Sequence, residues 1–164
     1  MLKVNFKVDP ILEKIKRMVS LSGDLRPVLL QIRGQGLNTN TMSVIGGIGA
    51  QFATQGAFYG TTWPDLKPDY AKQKLKKFPG QTILRATNKL LKAATMPGED
   101  GNVEILTYTS IVWGISDDKI TYAKYHMTGT KAMRQRQFLG ITQQQRVTWS
   151  ALIKKYIVET AGAA

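Results

Sequence analysis

Two runs rich in branched and aromatic residues, Val103 to Tyr108 and Ile111 to Ile115, flank the dipeptide Thr109-Ser110. Such runs favour pleated, half-buried backbone, and strands joined by so short a link pair as an antiparallel hairpin. A helical period lies downstream. Thr142-Gln143-Gln144-Gln145 has the form of a capping box, and Trp149, Leu152, Ile153, Tyr156 and Ile157 then follow the spacing i, i+3, i+4, i+7, i+8. The expectation is a C-terminal helix packed across a sheet.

The remaining elements read less sharply. Leu2, Val4, Phe6 and Val8 alternate with polar residues, the period of a half-buried strand. Asp9 and Pro10 then start a helix that stops near Ser22-Gly23, and Asp24 caps a second one until Gly34 and Gly36 interrupt it. Met42, Ile45, Ile48 and Phe52 share a helical face, although Gly46, Gly47 and Gly49 each cost about 1 kcal/mol against alanine. From Gly56 to Lys67 a loop carries Trp63 and Leu66 inward. Pro68 opens a short helix anchored by Tyr70, Leu75 and Phe78, and a second short helix starts near Gln81. Gly98 to Asn102 is an exposed turn, with another at Ser116 to Lys119. Ile120 to His126 reads as a helical turn or an extended piece, Met127 to Gln135 as an exposed basic loop, and Arg136 to Leu139 as an edge strand. No repeat or linker composition divides the chain, so residues 1–164 are taken as one domain, with 1–55 a mainly helical N-terminal part.

Composition bounds the function. At 164 residues and 43% hydrophobic, the chain can bury a real core. Its formal charge of +12 attracts polyanions, since each lysine or arginine near a phosphate releases a condensed counterion. With no cysteine there is no disulfide, thiolate nucleophile or thiolate metal site. Met1 to Pro10 lacks the apolar run of a signal peptide, and no stretch approaches the ~20 apolar residues of a spanning helix, so a soluble protein is expected.

Catalytic inventory is thin. His126 is the sole histidine, so any triad would be built around that one ring; the plainer reading packs it at the sheet edge, bonded to a loop carbonyl. Asp117 and Asp118 fall in a turn, where aspartate is common for its own sake. The clusters Gly34-Gln35-Gly36 and Gly46-Gly47-x-Gly49 lack the flanking strand and Lys-Thr of a phosphate loop. No enzyme activity, metal or cofactor is expected.

The cations are more telling. Lys67 to Lys92 holds eight basic residues against Asp69 alone, and Lys119 to Lys155 holds eight with no acid. Lys72, Lys74, Lys76, Lys77, Lys131, Arg134 and Arg136 are the interface or DNA-facing candidates. Three roles compete: a solvated face, contact with an acidic protein surface, and phosphate contact without base readout.

One further pattern runs along the chain as Phe52-x3-Gly56, Trp63-x2-Leu66-x3-Tyr70-x3-Lys74, Tyr122-Ala123-x2-His126-x2-Gly129 and Arg136-Gln137-Phe138-Leu139-Gly140. In order and spacing it resembles the phage virion morphogenesis proteins of the tail completion type, over roughly the last two thirds of the chain. Trp63-Pro64-Asp65-Leu66-Lys67-Pro68 is similar to that family's Trp-x-x-Leu-x-Pro box, and Ile83 to Leu90 to its Leu-x-x-Thr-Gly-x-Leu segment, with Asn88 where glycine is usual. The resemblance implies an α+β fold, a small antiparallel sheet with helices on one face, forming a ring, with six subunits favoured. It implies a structural role at the head-proximal end of the tail or in the neck, in a virion assembled in the host cytoplasm. Partners would be tail terminator or tube proteins and head–tail connectors, with DNA passing through the lumen and no membrane. Phe52, Trp63, Leu66, Tyr70, Tyr122, His126, Phe138, Leu139 and Trp149 are the expected structural anchors. The alternative function is a basic nucleic-acid-binding protein.

Overall fold

A computed structural model of the chain describes residues 2–5, 24–37 and 47–162. The expected helix from Asp9 to Ser22, the glycine-containing segment around Gly46 and the continuation of the first strand to Val8 lie outside the described residues. Strand β1 spans Leu2–Asn5, β2 Asn102–Leu106 and β3 Ile111–Ile115. They form an antiparallel sheet ordered β1-β3-β2, with Val4 opposite Trp113 and Glu104 opposite the same residue on the other side. The predicted hairpin is therefore present, and the N-terminal strand completes the sheet along its far edge.

Alternation decides which face is covered. Ile111, Trp113 and Ile115 are buried, whereas Ile105 of β2, whose partner is Val112, is exposed on the opposite face. Helices supply the cover. In α1 (Arg26–Leu37), Arg33 donates to Glu104 at 2.7 Å; in α4 (Lys89–Thr95), the Ala93 carbonyl accepts from Asn102 at 2.8 Å. The long helix α6 (Gln143–Gly162) sets Trp149 edge-on to Trp113, ring centroids 6.1 Å apart. The fold is α+β, with helices packed on one face of a small antiparallel sheet.

Local chemistry explains two helix starts. Thr142 and Gln145 form a reciprocal capping box: the Thr142 N–H donates to Oε1 of Gln145 at 2.8 Å, and the Gln145 N–H donates to Oγ1 of Thr142 at 3.1 Å. At α1, Asp24 accepts from the Arg26 N–H and grips its guanidinium. That helix does not break at Gly34 and Gly36 but continues to Leu37. Tertiary packing overrides the glycine penalty, because Val28, Leu29 and Ile32 are buried and Gln35 accepts the Trp149 indole N–H at 3.0 Å.

Three further expectations need correction. The helix placed near Gln81 starts only at Lys89, after a stretch in which Leu84 and Asn88 take left-handed backbone, φ 62° and 57°. Arg136 to Leu139 adds no strand; it crosses the core irregularly and burns its backbone polarity on side-chain and loop partners. The helix α3 (Pro68–Lys77) is inverted relative to its pattern, leaving Tyr70 55% and Leu75 67% exposed while burying Lys74. Between these elements lie α2 (Ile48–Ala53), a 3-10 turn at Ala57–Tyr59 and α5 (Ala123–Thr128), so the Ile120 to His126 segment is a turn that becomes helical at Ala123.

Candidate functional site

Trp63 is the hinge of the site. Its ring stands edge-on to Phe52 at 5.5 Å, Phe52 leans on Phe138 at 5.7 Å, and the indole N–H donates to the Gln137 carbonyl at 2.8 Å. Buried Gln51 donates to that same carbonyl at 2.8 Å and accepts the Tyr59 N–H at 2.9 Å. Gly56 makes the turn possible. With φ 101°, any Cβ there would stand 2.6 Å from the Thr61 carbonyl and the Trp63 nitrogen. The spacing Phe52-x3-Gly56 is thus the geometry that returns the chain under its own aromatic box.

Arg136 ties the next segment down. Its guanidinium donates to the Pro64 carbonyl at 2.8 and 3.0 Å and to the Asp65 carbonyl at 3.1 Å. Its own N–H donates to the His126 carbonyl at 2.7 Å, so one residue links three motif segments. Gly129, with φ 75°, turns the chain beneath it; an added Cβ would lie 3.0 Å from the Gln135 nitrogen.

These segments enclose a cleft of about 1000 Å³. Its walls come from the Thr62 to Lys67 loop, Pro68, Tyr70 and Lys74 of α3, the 84–90 stretch, Tyr122, His126 of α5, and the 132–136 segment. Lys67, Lys74, Lys89, Arg134 and Arg136 line it with Asp65 as the one carboxylate among the lining residues. Burial, then the nearby Arg136 charge, pushes the Lys74 ammonium below its ordinary range; among the described residues its Nζ donates only to the Thr82 carbonyl. The Arg136 guanidinium is likewise pushed down, by burial first, while Tyr70 offsets part of the shift. His126 falls to about 4 through burial and then Arg136, its ring set edge-on to Tyr122 at 5.9 Å.

Phe52, Trp63, Phe138, Leu139 and Trp149, the expected anchors, are buried, and Leu66 is half-buried. Tyr70 and Tyr122 are not. At 55% and 40% exposed they line the cleft, while Lys74, four residues on from Tyr70, is the residue of α3 that is buried. His126 lines the cleft and its ring makes no hydrogen bond among the described residues, in place of the expected bond to a loop carbonyl. Of the charged candidates, Lys72, Lys76, Lys77, Lys131 and Arg134 are exposed, whereas Lys74 and Arg136 are 7% and 6% exposed and act as internal donors. Sequence reasoning missed Gln51 and the pairing of Lys74 with Arg136. For the latter no signal existed, since lysine within a lysine-rich helix reads as solvated.

Among the described residues no group of three His, Cys, Asp or Glu side chains can hold a metal ion, and no helix is long and apolar enough to cross a membrane. No family model, curated protein or solved structure matches this chain.

Proposed function

We propose that the chain is a structural phage virion protein that completes the head-proximal end of the tail and helps join head to tail, as part of a ring in the neck. The observation that carries this reading is convergence. The segments that resemble the tail completion family, far apart in sequence, meet around one cleft, held by the Arg136 bonds to Pro64 and Asp65 and by the Trp63 bond to Gln137. Asn88 supports it too: its left-handed backbone is the conformation that makes glycine the usual occupant of such a position.

The role asks for surfaces more than for reacting groups. Lys131 and Arg134 stand exposed on the 129–135 loop, and Lys72, Lys76 and Lys77 on α3, where they suit acidic neighbours such as tail terminator, tube or connector proteins. A ring of six subunits would bring such faces together around a lumen that passes DNA. Gold-labelled antibody imaging of particles and tail intermediates tests the reading: label at one tail end or the head junction is expected, and absence from particles would overturn it.

The exposed α3 lysines also favour a second reading, a nucleic-acid-binding protein acting off the particle. A phosphate binder loses affinity steeply between low and moderate salt, so a salt titration of DNA binding separates the two.

A further inference from the structure

Lys74 and Arg136 form an unusual pair. Each is more than nine-tenths buried, each lines the cleft, and among the described residues the side chain of each bonds only backbone carbonyls, those of Thr82, Pro64 and Asp65. Neither has an ion-pair partner among those residues, and the charge of Arg136 reaches Lys74. Asp65, the one lining carboxylate, is exposed and offsets only part of the Arg136 charge, so two cations placed together out of water leave a net positive field. Lys67 and Arg134 extend that field to the exposed rim, whereas Lys89 is partly answered by Asp100 at 3.5 Å.

Apolar and aromatic side chains such as Trp63, Pro64, Leu66, Tyr70, Leu84 and Tyr122 make up most of the other walls, beside Asp65, His126 and two threonines. An occupant must therefore combine negative charge with apolar side chains. We infer that the cleft is a docking site for an acidic, extended segment of a partner protein, its carboxylates held at the exposed Lys67–Arg134 rim in the field of the buried Lys74–Arg136 pair and its apolar side chains against Tyr70 and Tyr122.

Size and charge select among occupants. At about 1000 Å³ the cleft lies at the upper end of the ~300–1,000 Å³ typical of ligand sites, room for a few residues of chain but not for a duplex. A second copy of this protein carries +12 overall and meets the field with like charge. Single-stranded nucleic acid can stack on tyrosine, yet its phosphates are accompanied by polar sugars that match the apolar walls poorly. Assigning the segment to a neighbouring virion protein rests on the function proposed above; the binding chemistry does not.

The test uses the full chain and a fluorescein-labelled peptide, Glu-Leu-Glu-Phe-Glu-Leu-Glu, read by fluorescence anisotropy, with its all-glutamine counterpart and a short oligothymidine as comparators. Two variants carry the same change in net charge: Lys67→Glu with Arg134→Glu on the cleft, and Lys76→Glu with Lys77→Glu on α3 outside the cleft lining. Expected are saturable binding of the acidic peptide, little binding of the glutamine form, and at least a roughly tenfold loss in the cleft variant alone. Equal loss in both variants would reduce the site to a diffuse field and overturn the inference, as would preference for the oligonucleotide or no saturable binding. Peptide binding by a protein that immunogold finds on no particle would sink the virion reading and leave the site standing.

Discussion

Replacing Arg136 with methionine keeps much of the apolar stem and deletes every guanidinium donor. The donors hold the Pro64 carbonyl through two contacts and the Asp65 carbonyl through one. A hydrogen bond from a charged group contributes about 1.5–3 kcal/mol, and a buried acceptor left unmade costs about 1–3 kcal/mol. The full sum does not apply. Asp65 is exposed, so water can replace its partner, while Pro64 is only half-buried. Removing the cation also relieves Lys74, whose ammonium is held down by burial and then by Arg136. These offsets leave an expected loss of about 2–3 kcal/mol for Arg136→Met. Urea denaturation followed by tryptophan fluorescence measures it as a lower midpoint at unchanged slope. Arg136→Lys retains the charge but cannot fork across two carbonyls, so its stability should fall between parent and methionine variant. A lysine variant as stable as the parent, or a methionine variant within ~0.5 kcal/mol of it, would refute the bridging argument.

Two alanine substitutions should move stability in opposite directions on the same denaturation assay. Gly56→Ala, with φ 101° and backbone atoms at 2.6 Å, should cost about 2 kcal/mol or more, whereas Gly34→Ala, mid-helix with no atom within 4 Å, should gain about 0.5–1 kcal/mol. His126 has a folded pKa of about 4, below the ordinary 6.5, so the unfolded chain takes up its proton first and stability falls as pH drops from about 6.5 to 4. After discounting for partial exposure that loss is about 1–2 kcal/mol, and urea midpoints across this window should flatten in His126→Asn. Lys131→Ala with Arg134→Ala alters two exposed side chains, so the midpoint should stay within ~0.5 kcal/mol while incorporation into particles, scored by immunoblot of purified virions, declines.

What was legible in the sequence shares one property: the deciding interactions are local. Thr142 and Gln145 complete their box within one turn, the hairpin strands are joined by four residues, and the α6 stripe needs only helical repetition to bring Trp149, Ile153 and Ile157 to one side. The misread elements depend on distant partners. Gly34 remains helical because Trp149 reaches Gln35 from more than a hundred residues away, and 136–139 gives up a strand ladder because Trp63 and Gln51 claim the Gln137 carbonyl. Helix propensity and strand pattern contain no term for either contact.

The cleft sits between these cases. Its segments were visible as spaced motifs, since a glycine with backbone at 2.6 Å or an aromatic ring wedged on another restricts what can occupy a position. Its electrostatics were not visible, because a lysine in Lys72-x-Lys74-x-Lys76 reads as solvated until Thr82 and Arg136 are placed beside it. Burying Lys74 and Arg136 together opposes stability through desolvation and repulsion, while exposed Tyr70 and Leu75 leave apolar area unburied on the same helix. A fold selected for stability alone would exchange those positions, putting leucine beneath α3 and lysine outside. Their reversed placement accords with the proposed acidic segment, which would add to the single negative charge of Asp65 and cover the tyrosines in one step.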